Sequence, residues 1–148
     1  MVTFPGQFDK PASPLRALVI DDDLAVRTFV DRVLREAGYQ TMVAKDGLAA
    51  RNAVLESGAP DFVVTDQSMP GMSGHEFAGW LRQRHPAVKV LYLSGYVDPA
   101  QEHQGEELWE KDGYLEKPCT VRGLLQAVSL LLFRRLDPPA TSRPSRSL

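Results

Sequence analysis

The chain has little of what several functional classes require. It has one cysteine, Cys119, among 148 residues. A single thiol excludes an internal disulfide framework and fits a reducing cytoplasm. Packing is the expected role of that thiol. The three histidines, His75, His85 and His103, stand at no metal-binding spacing and read as surface residues. Positive charge is not in excess. The formal net charge is −2, which gives no general drive toward nucleic acid. No apolar run approaches the roughly 18 residues of a membrane span, so no membrane insertion is expected. Phe4, Pro5 and Gly6 open the chain without a signal-peptide core. No internal repeat is present.

What remains is the material of an ordinary domain. A hydrophobic fraction of 43% supports a core, and 24% charged residues suit a solvated surface. Residues 1–14 hold Pro5, Gly6, Pro11, Ser13 and Pro14 and read as an extended leader. Residues 137–148, DPPATSRPSRSL, read as a disordered Pro/Ser/Arg tail. Residues 15–136 between them form one compact unit.

That unit alternates strand and helix. Leu15–Ile20, Tyr39–Ala44, Asp61–Asp66, Val88–Ser94 and Gly113–Glu116 read as strands. The first helix puts Val26, Val30, Val33, Leu34 and Ala37 on one face, with Gly38 to end it. The second covers residues 46–57 and stops at Gly58-Ala59-Pro60. The third runs Gly74–His85, with Phe77, Trp80 and Leu81 inward and Pro86 after it. A fourth, weaker helix covers Pro99–Lys111, interrupted by Gly105, with Trp109 near its exposed end. Thr120 caps a last helix to about Leu136, with Val121, Leu124, Leu125, Val128 and Leu132 inward and Leu130 and Phe133 outward. Strict alternation predicts an α/β doubly wound (βα)5 sandwich, flavodoxin-like, on a five-stranded parallel sheet in the order 2-1-3-4-5.

The chemistry-bearing residues fall together at the carboxyl ends of those strands. Such folds bind ligands there, at the switch in strand order. Asp21 and Asp22 follow the first strand, Asp66 ends the third, Ser94 the fourth, and Lys117 follows the fifth. Asp23 reads as a helix N-cap and stays outside this group. Three crowded carboxylates repel one another, and a hard divalent cation, commonly Mg²⁺, relieves that repulsion. A carboxylate can also act as nucleophile and carry a phosphoryl group. Each residue alone has an ordinary reading. Asp21 and Asp22 can be a cap and a first-turn acid, Asp66 a turn former, Lys117 a solvated lysine, and Ser94-Gly95 a turn. Their joint placement on four strands is what favours a site.

In LVIDDD, VVTDQSMPGMSG, VLYLSGY and GYLEKPC, taken in order, the sequence resembles the receiver domain of bacterial two-component response regulators. The resemblance covers about Leu15 to Leu136. It implies that Asp66 is the phosphoacceptor. Asp22 would ligate Mg²⁺ directly, Asp21 through water, and Ser68 through its backbone carbonyl. Ser94 would be the switch hydroxyl, Lys117 the partner of the phosphoryl group, and Tyr114 the aromatic that moves with Ser94. The Lys117-Pro118 bond would be cis, as X-Pro bonds alone readily are. Partners would be a histidine kinase or a histidine phosphotransfer domain. Tyr96, Trp109, Leu130 and Phe133 are candidates for a partner surface or a phosphate-linked homodimer. Ser94 stands where Thr is common, and Ser68 where Asn or Met is. No catalytic output is implied beyond self-phosphorylation and self-dephosphorylation.

Two other classes share parts of this pattern. A haloacid-dehalogenase-like phosphatase also uses an aspartyl nucleophile and Mg²⁺, but wants Asp-x-Asp-x-Thr after the first strand. Here Asp21-x-Asp23-x-Ala25 lacks the hydroxyl. A flavin-binding module would need a hydroxyl- and glycine-rich phosphate loop where this chain puts three acids.

Overall fold

The computed structural model of the chain describes residues 14–95 and 112–133. Nine elements follow in order: β1 (Arg16–Ile20), α1 (Leu24–Glu36), β2 (Gln40–Ala44), α2 (Gly47–Ser57), β3 (Phe62–Asp66), α3 (Gly74–Arg84), β4 (Lys89–Ser94), β5 (Asp112–Glu116) and α4 (Val121–Phe133). The strands form one parallel sheet in the order β2-β1-β3-β4-β5. The expected topology is therefore the observed one. The helix expected over 99–111, the leader, the tail, Tyr96 and Trp109 lie outside the described residues.

Side-chain alternation along each strand divides the core in two. Ala17, Val19, Phe62, Val64, Leu91 and Leu93 face α1 and α4, where they meet Val30, Leu34, Leu124 and Val128. Leu18, Ile20, Val63, Val90 and Tyr92 face α2 and α3, where they meet Ala50, Val54, Phe77 and Leu81. All five residues of β3 are buried, as a central strand covered on both faces must be. At roughly 1.5–3 kcal/mol per fully buried side chain, Phe62, Val63 and Val64 hold this strand firmly while its last residue stands among like charges.

The helices start where the sequence supplies caps. Asp23 accepts from Ala25 N at 2.9 Å, so the capping role expected of it is present. Asp46 caps α2 through Ala49 N at 2.8 Å. Ser73 and Glu76 form a reciprocal capping box on α3. Thr120 Oγ1 accepts from Gly123 N at 2.9 Å at the start of α4.

The inward faces differ from expectation at several points. On α4 the buried residues are Leu124, Val128 and Leu131, while Val121 is half exposed. Of the expected face, Leu124 and Val128 are buried and Leu125 and Leu132 pack half-buried against the core, while Leu131 takes the place expected of Val121 and completes an i, i+4, i+7 stripe. Leu130 and Phe133 point outward as expected, at 57% and 51% exposure. Ala37 is the exposed C-cap of α1 and takes no part in the core.

Candidate functional site

The carboxyl edge of the sheet brings the acids together. Asp21 follows β1, and its Oδ1 accepts from Asp23 N at 2.9 Å, which orients the carboxylate inward. Arg27 of α1 reaches back and donates to the Asp21 carbonyl at 2.8 Å. Asp66 ends β3 directly opposite Leu93 of β4. Its carboxylate accepts from Ser68 N at 3.4 Å. Ligand oxygens of Asp21, Asp22 and Asp66 all lie within 4.8 Å of one another. Asp21 and Asp66 are buried and Asp22 is exposed, so the cluster has one solvent-facing side.

Lys117 enters from the far strand. Its Nζ stands 3.2 Å from Asp21 Oδ2 and 3.4 Å from Asp66 Oδ1. It is placed there by the end of β5, where Lys117 N donates to the Ser94 carbonyl at 2.7 Å. The Lys117-Pro118 peptide is cis. Ser94 is buried at the end of β4, paired in register with Glu116. The edge therefore gathers Asp21, Asp22, Asp66 and Lys117 directly, with Ser94 on the adjoining strand end.

The electrostatics of this pocket are unbalanced. Burial, together with the Asp21 charge, pushes the Asp66 carboxyl above its ordinary range, against the pull of Lys117 and the Ser68 N–H. Burial alone would lower the Lys117 ammonium, but the charges of Asp21 and Asp66 outweigh it and raise it. One cation for three carboxylates leaves a net negative pocket. Asp21 Oδ2 is shut away from solvent and accepts no hydrogen bond from the described residues, its ion pair with Lys117 aside. A buried carboxylate oxygen of this kind, among hard oxygen donors and open on one side, fits Mg²⁺.

The loop after Asp66 is fixed by backbone contacts. Gln67 N donates to the Leu93 carbonyl at 3.0 Å, and Gly74 N to the Gln67 carbonyl at 3.1 Å. Thr65 Oγ1 donates to the Asp66 carbonyl at 3.0 Å. Gly74 allows α3 to start against that carbonyl. A Cβ at Gly74 would lie 2.3 Å from the Asp66 oxygen. Gly71, at φ +82, turns the loop.

Beside the site, on the α3 face, lies an aromatic cluster. Tyr114 is partly buried and stacks on Tyr92 at 5.1 Å between centroids. His75 stacks on Tyr92 at 4.1 Å and meets Gln67 Nε2 at 3.2 Å. His75 is exposed, as expected of a surface residue, and its ring in addition lies on a tyrosine face. Burial lowers His75 and pushes the Tyr114 phenol up to about 12. Beneath the stack, Arg82 donates to both carboxylate oxygens of buried Asp112. Sequence reasoning missed this pair. The available signal was an acid opening the last strand, with an arginine in the last turn of α3.

On the other face, Ala25, Val26, Phe29, Lys117, Pro118 and Cys119 line a groove of about 420 Å³ next to the acids. Cys119 is half-buried there and packs against the α1–α4 core, in keeping with a packing role.

Fold and site together define a doubly wound α/β domain with an acidic, cation-suited pocket at its switch point. The response regulator receiver domain matches residues 17–129, and the chain belongs to that family. Among curated relatives, the response regulator protein FleR of Pseudomonas aeruginosa is 35% identical over 77% of this chain and 24% of its own length. The alkaline phosphatase synthesis transcriptional regulatory protein SphR of Synechococcus elongatus is 35% identical over 88% of this chain and 52% of its own. The chain thus spans a quarter to a half of these relatives. Among solved structures, the chemotaxis protein CheY4 of Vibrio cholerae superposes at a TM-score of 0.72 with 26% identity, covering 80% of this chain and 99% of its own. The receiver domain of the putative response regulator NarL of Mycobacterium tuberculosis superposes at 0.68 with 30% identity, covering 79% and 94%. The family is one of signalling modules. The phosphatase alternative finds no support in these matches. Among the described residues, no helix is long and apolar enough to cross a membrane.

Proposed function

We propose that the chain accepts a phosphoryl group on Asp66 from a histidine kinase or histidine phosphotransfer domain, and thereby changes its protein contacts. An Asp66 carboxylate oxygen attacks the phosphorus of the donor's phosphohistidine. The O–P bond forms as the P–N bond breaks, and the imidazole leaves with the electron pair. Asp22 would hold Mg²⁺ directly and Asp21 through water, with Asp66 and the Ser68 carbonyl completing the protein's share. Mg²⁺ supplies charge neutralisation at the phosphoryl oxygens. Lys117 passes from its carboxylate pairs to a phosphoryl oxygen, and the Ser94 hydroxyl donates to another. Tyr114 then repacks within its stack, shifting a balance between two states that exist before phosphorylation.

The observation that carries this reading is the convergence of three carboxylates within 4.8 Å of one another, with Lys117 Nζ bridging two of them. The apolar groove at Phe29 and Pro118 offers a donor domain a dry surface beside the acids. On this reading residues 15–136 are the receiver, 1–14 and 137–148 are leader and tail, and the setting is the cytoplasm. The receiver works as a single-domain regulator or within a hybrid sensor kinase. Tyr96, Trp109, Leu130 and Phe133 belong to its partner surface, and no direct nucleic-acid contact is involved.

Labelling with radioactive acetyl phosphate in MgCl₂ tests the assignment. Asp66→Asn should abolish acid-stable, hydroxylamine-labile label, and undiminished labelling refutes the role of Asp66.

A further inference from the structure

The α2–α3 junction carries a basic, apolar-flanked face that phosphoryl transfer does not use. Trp80 of α3 has the Arg51 guanidinium over its ring at 5.2 Å and that of Arg84 at 4.9 Å. Cation–π contact holds each group to the indole. It also keeps two like charges within about 10 Å of each other, about one Debye length at 0.1 M salt. Among the described residues neither guanidinium has a carboxylate partner within ion-pair distance. Arg51 Nε is in addition buried without a hydrogen-bond acceptor. Glu76, one turn before Trp80, is engaged in the capping box with Ser73. Half-buried Arg51 and exposed Arg84 therefore share one aromatic, with no carboxylate of the described residues paired to either.

The same face is apolar at its margin. Leu48, Arg51 and Leu55 recur at i, i+3 and i+7, one stripe of α2, bordering the side that buries Ala50 and Val54. Leu48 and Leu55 are 62% and 61% exposed. The chain as a whole is acidic at −2, so this local excess of positive charge is not a reflection of composition.

We propose that the α2–α3 face docks an acidic, leucine-bearing segment of a partner protein. Glutamate or aspartate carboxylates of that segment settle on Arg51 and Arg84, and its apolar side chains cover Leu48 and Leu55. Charge complementarity selects an acidic peptide, because Arg51 and Arg84 present two guanidinium groups that no carboxylate of the described residues pairs with. The exposed leucines select one with apolar anchors over a bare polyanion. The proposal stands apart from Asp66 and holds whether or not that residue is phosphorylated.

Trp80 makes the test direct. In Trp109→Phe protein, Trp80 is the remaining tryptophan. Its fluorescence is titrated with a synthetic helical peptide of about 18 residues carrying glutamates at i and i+4 beside leucines at i+1 and i+8. A second peptide has glutamine for each glutamate. Saturable binding at least tenfold tighter for the acidic peptide, lost in Arg51→Glu/Arg84→Glu and restored there by a lysine version, is the expected result. Arg51→Gln/Arg84→Gln, expected to lose most of the binding, covers the case in which charge reversal unfolds the domain. Equal binding of both peptides overturns the proposal in favour of unspecific adhesion. No saturable signal up to about 1 mM overturns it outright. Self-association without peptide, abolished by Leu48→Ser/Leu55→Ser, assigns the face to a second copy and also overturns it. Tighter binding of single-stranded DNA than of the acidic peptide does the same for nucleic acid.

Discussion

Two alanine substitutions in one helix should move stability in opposite directions. Gly74 and Gly79 both lie in α3. At Gly79 an added Cβ meets nothing within 4 Å. Gly79→Ala should therefore gain the helix-propensity difference, roughly 0.5–1 kcal/mol. At Gly74 the new Cβ would lie 2.3 Å from the Asp66 carbonyl oxygen and 3.2 Å from Thr65 Cγ2. The nearest atom is backbone of the central strand, so no side chain can swing aside. The start of α3 must retreat by about 1 Å, and overpacking of this kind costs roughly 1–3 kcal/mol. That exceeds any propensity gain at a first-turn position. Urea unfolding followed by circular dichroism reads the difference. With a slope of roughly 2 kcal/mol per molar urea, the Gly74→Ala midpoint should fall by about 1 M while that of Gly79→Ala rises slightly. Gly74→Ala should also label poorly with acetyl phosphate, because the retreating helix drags the Gln67–Gly74 bond that shapes the loop. A Gly74→Ala midpoint at or above that of the parent chain refutes the argument, as does a shift of both variants in one direction.

The folded pKa of Asp66 lies above its ordinary 3.8, so its stabilising contribution is present below that pH and is lost as pH rises through the folded value. In EDTA, Asp66→Asn should flatten this loss, while MgCl₂ should raise the melting temperature of the parent chain and raise it much less in Asp22→Ala, measured by differential scanning fluorimetry. Arg82→Met should cost about 3–5 kcal/mol by removing the guanidinium that donates to buried Asp112, whereas Arg82→Met/Asp112→Leu should cost clearly less in the same urea assay. Leu130→Glu with Phe133→Glu should abolish any dimer that forms on phosphorylation, read by sedimentation velocity. An unchanged dimer would return both residues to ordinary surface.

The topology was legible because each strand is a short apolar run bounded by punctuation. Gly38, Gly58, Pro60 and Pro86 all mark element ends, and three of the helix caps are Asp or Ser. The acids were legible for a second reason: strand ends of a parallel sheet share one edge, so position along the strand gives position in the site. What stayed hidden depends on distances across the sheet. His75 on Tyr92, Arg82 on Asp112, and Arg27 on the Asp21 carbonyl join residues of different elements with no fixed sequence offset. The roll of α4 was hidden too. In LLQAVSLLLF several apolar faces compete, and the position of β5 decides that Leu131 is buried and Val121 is not.

One of these hidden contacts, Arg27 on the Asp21 carbonyl, bears on how the acids remain together at all. Repulsion between Asp21 and Asp66 is countered within the described residues by one ammonium, Lys117, reached across two strands. Backbone N–H groups add more, Asp23 N–H on Asp21 and Ser68 N–H on Asp66, and the Arg27 guanidinium grips the Asp21 carbonyl rather than the carboxylate. Arg27 thereby fixes the β1 end without neutralising the carboxyl group beside it. Had its guanidinium paired with the carboxylate, the pocket would be near neutral and its attraction for a divalent cation weak. The arrangement thus rigidifies the acidic edge while leaving its charge uncancelled, and that uncancelled charge suits the edge to a hard divalent cation.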